Sequence, residues 1–422
     1  MKLKIPYGRT SVALQVPPGT LLNTLEPTPR SPLRDPQEAI RDALRYPIGT
    51  PPLRQLVRSG ERVAIVVNDV TRLVHTDVFL PVLVDELNAA GVPDGSIFVV
   101  FALGTHRPQT PEERRGIVGK EMAQRLELFE HDCSDRRGLV RVGRTSRGHE
   151  VWVNRRVWEA DRIILTGEIV PHLIAGYSGG RKSLFPGLAD AEFIRRNHSL
   201  VLDPACRIGV LDGNPAHEDL LEACRLFGPD FILNVILNSA GQFLSVVAGH
   251  YDAAHRAGCQ RIDEFYGTSL ADPYDVVIAG SGGYPLDIDL RQAHKGMENA
   301  ARALRPGGSL VYFADCTDGA GSAALQEWIE RGVTAAELET SLRENFVVGA
   351  HKAYWLARLG SRFRVFLVSS LPDAFVLKSH LTPAHDPECL VAGLLDGAGS
   401  RPRVAFISNA TFTLPVLCSD RL

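Results

Sequence analysis

Hydrophobic and polar positions alternate between two rhythms along most of the chain, and that rhythm predicts an α/β fold. Residues 2–16 alternate residue by residue and end in Pro17-Pro18-Gly19, which predicts one or two early strands. Residues 24–52 are proline-rich and irregular, with a helix over Asp35–Arg45. The apolar, β-branched run Glu61–Asn68 predicts a buried strand, and a helix closed by glycine follows over Thr76–Gly91. Ile97–Leu103 is the next strand, and Thr110-Pro111-Glu112-Glu113 opens another helix with a capping threonine and proline at its first position. Ile163-Ile164-Leu165 reads as a third buried strand. Such a strand–loop–helix alternation implies parallel, doubly wound sheets.

Beyond residue 205 the pattern predicts helices, one strand over Phe231–Leu237, and turns at Asp212–Pro215 and Ala240-Gly241. It pauses at Gly267–Pro273, where a boundary is expected. A second α/β unit follows: strand Asp275–Ala279, a glycine loop over 280–285, a helix from about Asp289 to Leu304, and strand Ser309–Phe313. Helices are expected near 322–331 and 334–344, with strands near Phe363–Ser369 and Arg403–Ser408. The expected architecture is two Rossmann-like α/β domains with a cofactor and substrate cleft between them. The first covers 1–270, with the segment from about 404 to 422 able to return to it; the second, covering 274–395, caps it.

Composition narrows the class. The 422 residues are 45% hydrophobic and 23% charged, with a net charge of −3, so no basic field suggests nucleic acid. Seven dispersed cysteines without a Cys-x-x-Cys pair suit reduced thiols rather than a zinc ribbon. The N-terminus has no signal-peptide pattern and no apolar run reaches about 18 residues. The expectation is a cytoplasmic protein with neither nucleic-acid nor membrane partners.

Candidate chemistry clusters where these strands end. Asp69 and Arg72, His106, and His172 follow three separate strands, and ligands of doubly wound sheets bind beyond such carboxyl ends. The stretch Pro171–His198 is the densest. His172 precedes the small-residue turn Ser178-Gly179-Gly180, Lys182 sits at its end, and His198 follows. Imidazoles with an unperturbed pKa of ~6.5 suit acid–base work. A lysine in a glycine-rich turn can bind phosphate or join a cofactor covalently. Arg181 stands where a Walker A loop needs glycine, and Pro285 stands where a dinucleotide loop needs its third glycine, so neither motif is present. An ordinary Ser/Gly loop remains the bland alternative. Gln292 and Lys295, three apart, share one helix face, and a solvated surface is the bland reading there.

In combination these motifs resemble the nickel-pincer-dependent lactate racemase family. The likeness runs through Pro6-Tyr7-Gly8, Asn68-Asp69-Val70-Thr71-Arg72, Gly104-Thr105-His106-Arg107-Pro108, Pro171-His172, Ala175–Lys182, Pro186-Gly187, Asn197-His198, Gly213-Asn214-Pro215, Gln292–Gly296 and Trp355. The resemblance implies a racemase or epimerase of a 2-hydroxy carboxylic acid, working by reversible hydride transfer. Its implied cofactor is a nickel-pincer nucleotide, a Ni(II) pyridinium-3,5-bisthiocarboxylic acid mononucleotide, covalently attached at Lys182 and built by separate biosynthetic enzymes. It further implies His106 and His172 as alternating acid and base and His198 as nickel ligand. Asp69, Val70, Thr71 and Arg72 would line the cofactor, with Arg72, Arg291, Gln292, Lys295 and Trp355 at the substrate. Two positions depart from the lactate-specific pattern. Arg291 replaces a tyrosine, and Leu73-Val74-His75 follows Arg72 in place of a frequent proline. The substrate is therefore left open among lactate, malate-like, sugar and aryl or alkyl hydroxy acids. Two other readings compete: a metal-dependent hydrolase or lyase holding a divalent ion with His106, His172 and His198, and a non-catalytic nickel-nucleotide binding protein.

Overall fold

A computed structural model describes residues 1–418 apart from Leu73, Val348 and Ser400. The chain divides into two units, one of residues 30–262 and one of residues 1–29 with 263 onward.

The first unit is built on a six-stranded sheet ordered Phe243–Gly249, Phe231–Leu237, Arg162–Glu168, Val63–Asn68, Ile97–Ala102 and Glu127–Glu130. All neighbours are parallel except the first pair, which is an antiparallel hairpin. The strands are apolar because helices cover both faces; Val63 to Val67 are all fully buried. From Val63–Asn68 the chain steps outward on one side to Ile97–Ala102 and Glu127–Glu130, then returns to the other side at Arg162–Glu168. Strand order thus reverses between Val63–Asn68 and Arg162–Glu168, and the crevice beyond their carboxyl ends is the expected ligand position.

The second unit carries a six-stranded, wholly parallel sheet ordered Thr382–Pro383, Arg364–Val368, Leu304–Phe313, Tyr274–Gly280, Val404–Ile407 and Leu22–Thr24. This corrects the expected domain limits at both ends. Residues 1–29 join the second unit, because Leu22–Thr24 adds a strand beside Val404–Ile407 and the hairpin Lys2–Gln15 buries Ile5 and Leu14 against Val276 and Phe313. The segment from 404 also stays with the second unit, where Leu414–Leu417 pairs with Gly267–Leu270; residues 419–422 lie outside the described residues.

Most expected elements form at their expected places. Asp35 caps Pro36–Arg45, Thr110 closes a capping box on Pro111–Val118, and Asp289 caps Leu290–Ala301. Elements that the sequence pattern does not predict include strands Glu127–Glu130 and Phe243–Gly249, the hairpin Leu139–Asn154, and helices His351–Arg362 and Pro387–Gly397. Among the described residues no helix is long and apolar enough to cross a membrane, and the described cysteines form no disulfide.

Candidate active site

The first unit brings Asp69 and His106 together. Asp69 leaves the end of strand Val63–Asn68 and is almost completely buried. Its Oδ1 accepts the Thr71 backbone N–H at 3.0 Å and the Thr71 hydroxyl at 2.6 Å, and its Oδ2 accepts from His106 Nδ1. Burial pushes the Asp69 carboxyl up, but the His106 ring, Thr71 and the nearby Arg72 outweigh it and hold it below the ordinary carboxylate range. A carboxylate can only accept, so the His106 proton sits on Nδ1 and its Nε2 offers a lone pair. The His106 side chain is 48% exposed, open to a substrate. Val70 is exposed, and its N–H is donated to Gln109 Oε1 at 2.7 Å. Arg72 is exposed and donates to its neighbour's Thr71 carbonyl at 3.1 Å; Leu73 beside it lies outside the described residues.

His172 follows strand Arg162–Glu168 across the reversal of strand order, in the short hairpin Pro171–Tyr177. Its Nδ1 accepts the backbone N–H groups of Ile174 and Ala175, each at 3.2 Å. A neutral ring with an accepting Nδ1 carries its proton on Nε2. That Nε2 lies 2.7 Å from Lys182 Nζ. Burial, and then the charges of Arg181 and Arg72, hold the Lys182 ammonium well below its usual range, so the amine can accept the His172 proton.

The turn that places Lys182 requires its glycines. Gly176 has φ +73°, and a Cβ there would lie 2.0 Å from the Val210 carbonyl oxygen; Gly179 has φ +121° and would meet the His255 ring at 2.8 Å. Asn234, the one amide in strand Phe231–Leu237, is fully buried; its Oδ1 accepts the Gly180 N–H at 3.0 Å and its Nδ2 donates to the Gly167 carbonyl at 3.2 Å. Arg181 is completely buried behind the turn, its guanidinium held by the His217 and His255 rings.

His198 ends helix Ala191–Ser199, and its Nδ1–H is donated to the Ile194 carbonyl at 2.9 Å. Its Nε2 therefore carries the lone pair that a metal needs. Burial above all brings its pKa down to about 4, so the ring is neutral and ready to ligate at neutral pH. The helix is anchored by Asn197, whose Nδ2 donates to Asp219 at 2.9 Å and to the Ala216 carbonyl at 3.1 Å.

These residues fit a cofactor that carries its own soft donors. The first unit offers one imidazole with an open lone pair, His198, and one amine, Lys182, beside His172, and sulfur donors with one imidazole suit nickel. At the strand reversal, Asn68 Oδ1 is buried with no hydrogen-bond partner, and a Cβ on Gly167 would come within 3.1 Å of it. That carbonyl oxygen is available to a ligand's donor. Among the described residues no three His, Cys, Asp or Glu side chains form a metal-ligand group, so the three-histidine divalent-ion reading has no ligand set there.

The remaining expected site residues lie on the second unit. Gln292 and Lys295 do share a face of Leu290–Ala301, with Lys295 Nζ donating to Gln292 Oε1 at 2.6 Å. Arg291 has a buried Nε without a partner, and Trp355 is buried on helix His351–Arg362. Gln109, Asn234, Asp219 and Lys352 were not anticipated. Asn234 had a signal, a lone amide in an otherwise apolar strand; Gln109 directly follows the Gly104–Pro108 motif.

In the first unit the candidate residues gather beyond the carboxyl ends of neighbouring parallel strands, where α/β enzymes bind their ligands. A family model described as the lactate racemase N-terminal domain matches residues 7–209, and one described as the lactate racemase C-terminal domain matches residues 270–411. The chain belongs to the lactate racemase family. It is 30% identical to the lactate racemase of Thermoanaerobacterium thermosaccharolyticum over 91% of this chain and 92% of that protein. It is 32% identical to that of Lactiplantibacillus plantarum over 80% of each. The solved structure of the Thermoanaerobacterium apoprotein superposes with a TM-score of 0.89, 29% identity and coverage of 99% of this chain and all of that one. A Thermotoga maritima protein at 18% identity and a TM-score of 0.64 shares the fold, covering 92% of this chain and all of that one.

Proposed function

We propose that the chain racemises or epimerises a 2-hydroxy carboxylic acid by reversible hydride transfer on a nickel-pincer nucleotide joined to Lys182. The observation that carries this reading is the opposite protonation of the two candidate imidazoles: His106 offers a lone pair at Nε2, and His172 offers a proton there. An acid and a base are what inversion through a planar 2-keto acid requires, because the two enantiomers present their hydroxyls differently.

When bound, the nickel nucleotide supplies a hydride acceptor. The chain's residues do the rest. His106, oriented by Asp69, takes the hydroxyl proton of one enantiomer, and His172 returns a proton when the hydroxyl is rebuilt on the other face; the opposite direction reverses the roles. Acylation of the Lys182 amine removes the lone pair to which His172 donates, and so releases that proton for the substrate. His198 Nε2 would ligate the nickel. Asp69, Val70, Thr71 and Arg72 line the cofactor. We assign Arg72, Gln292 and Lys295 to the substrate carboxylate, and Arg291 and Trp355 to the rest of the substrate. A carrier of the nucleotide would have no use for an acid–base pair. The setting is cytoplasmic, and the enzymes that build the nucleotide are the functional partners.

The test is intact-protein mass spectrometry with metal analysis, on protein produced alongside the cofactor-building enzymes. The expected result is added mass on the peptide holding Lys182, stoichiometric nickel, and loss of optical rotation with a 2-hydroxy acid. An unmodified Lys182 with a different ion bound, despite a working cofactor supply, would overturn the reading.

A further inference from the structure

The second unit gathers positive charge around one tryptophan. Helix Leu290–Ala301 contributes Arg291 and Lys295, and helix His351–Arg362 contributes Lys352 and Trp355. Lys352 Nζ lies 5.5 Å from the centre of the Trp355 ring. The fully buried His294 stacks on the same ring at 5.7 Å, with 15° between the planes. Two carboxylates are near, and both are engaged. Asp289 Oδ1 accepts the Gln292 backbone N–H at 2.7 Å as a helix cap, and Glu298 lies 3.2 Å from His294 Nε2.

Among the described residues neither carboxylate forms an ion pair with Arg291 or Lys352. The Arg291 Nε is buried with no hydrogen-bond partner. Burial first, and then the charges of Lys295 and Arg291, bring Lys352 down to about 7 against the opposing pull of Glu298 and Asp289. Cations carried by two helices that pack through His294 and Trp355, in partly desolvated surroundings, are stabilised by an arriving anion.

A simple 2-hydroxy acid brings one carboxylate, and the proposed function already gives that group to Gln292 and Lys295. Arg291 and Lys352 are then left for a different anion. We propose that the substrate is a 2-hydroxy acid with a second anionic group, most simply a 2-hydroxydicarboxylate, and that Arg291 and Lys352 take its distal carboxylate. This rests on the racemase reading and narrows its substrate class. A phosphate at the distal end would meet the same two cations, so both kinds of anion enter the test.

The experiment is titration calorimetry of the full chain with 2-hydroxysuccinate, 2-hydroxy-3-phosphooxypropanoate and lactate, for the parent, Lys352→Met and Arg291→Gln. It is paired with racemisation assays of the nickel-loaded protein on the same three acids. The expected result is at least tenfold tighter binding of 2-hydroxysuccinate than of lactate, with that ratio falling toward one in both variants. A still tighter phosphorylated acid, lost in the same variants, supports the second-anion site and names phosphate as its ligand. Equal affinities for all three acids, unchanged in a variant that melts like the parent, overturn the proposal. Racemisation of lactate in that case leaves the racemase reading standing. Tight binding of a dianion with no racemisation of any acid by nickel-loaded protein sinks the racemase reading instead, and leaves only an anion-binding site.

Discussion

His172 Nε2 and Lys182 Nζ stand 2.7 Å apart, and the imidazole supplies the proton between them. The backbone N–H groups of Ile174 and Ala175 both point at His172 Nδ1, which can only accept them. The ring proton is therefore on Nε2, and an ammonium facing it would set two donors against each other. The pair is consistent only with an uncharged amine, the form that attacks an acyl group.

Lys182 is thus expected to acylate at neutral pH ahead of exposed lysines. Limited reaction with an amine-reactive acetyl ester at pH 7, mapped by peptide mass spectrometry, reads this directly. The charge of Arg181 helps hold the amine uncharged, so Arg181→Met moves the onset of labelling to higher pH. Labelling that simply follows solvent exposure in both proteins would count against the assignment.

Asp69→Asn is expected to slow racemisation about 100-fold or more, within the range usual for a lost acid–base group. The amide Nδ2 would donate to His106 Nδ1 and drive the ring proton to Nε2, where the lone pair is needed. The Lys182 adduct and its nickel should persist in this variant. A loss of less than tenfold, at full nickel content, would mean that Asp69 does not orient His106.

Much of this arrangement was legible in the sequence, for a definite reason. Asp69, His106 and His172 each follow a short apolar run, and parallel strands must point their carboxyl ends the same way. The hydrophobic rhythm alone thus places them at one edge of one sheet. Strand Phe243–Gly249 was hidden because it forms a hairpin with its predecessor across a turn that reads as a loop. Residues 1–29 were assigned to the wrong unit for a deeper reason: Leu22–Thr24 pairs with a strand almost 400 residues later, and no local pattern records such a pairing. Lys352 is invisible in the sequence because its character comes first from burial and then from Lys295 and Arg291 on another helix.

His198→Ala separates ligation from attachment. The ring's Nδ1–H is committed to the Ile194 carbonyl, which leaves only Nε2 for metal. The variant should retain the added mass on Lys182 and lose most of its nickel, as read by mass spectrometry of the peptide and metal analysis of the intact protein. Full nickel retention would remove His198 from the ligand set.

Asp219 carries the prediction that joins stability to the site. It is buried and accepts from His149 Nδ1 at 3.0 Å, Asn197 Nδ2 at 2.9 Å and the Thr145 hydroxyl at 2.7 Å. Burial raises its pKa, but these three partners outweigh it and leave the carboxyl below its ordinary value. A group depressed in this way stabilises the fold above its unfolded pKa of ~3.9, and that contribution fades as the pH falls through the folded value. Asp219→Ala strands three buried donors, one of them on the residue preceding His198, at a cost of about 1–3 kcal/mol for each donor left unpaired. Thermal melts at pH 7 should show a drop of several degrees, since each kcal/mol moves the midpoint roughly 2–4 °C in a domain of this size. The difference between parent and variant should shrink on acidification toward pH 3, as the parent's own carboxylate begins to protonate. A constant difference across that range would mean that the carboxylate charge of Asp219 is not what holds Asn197, and with it the helix that presents His198.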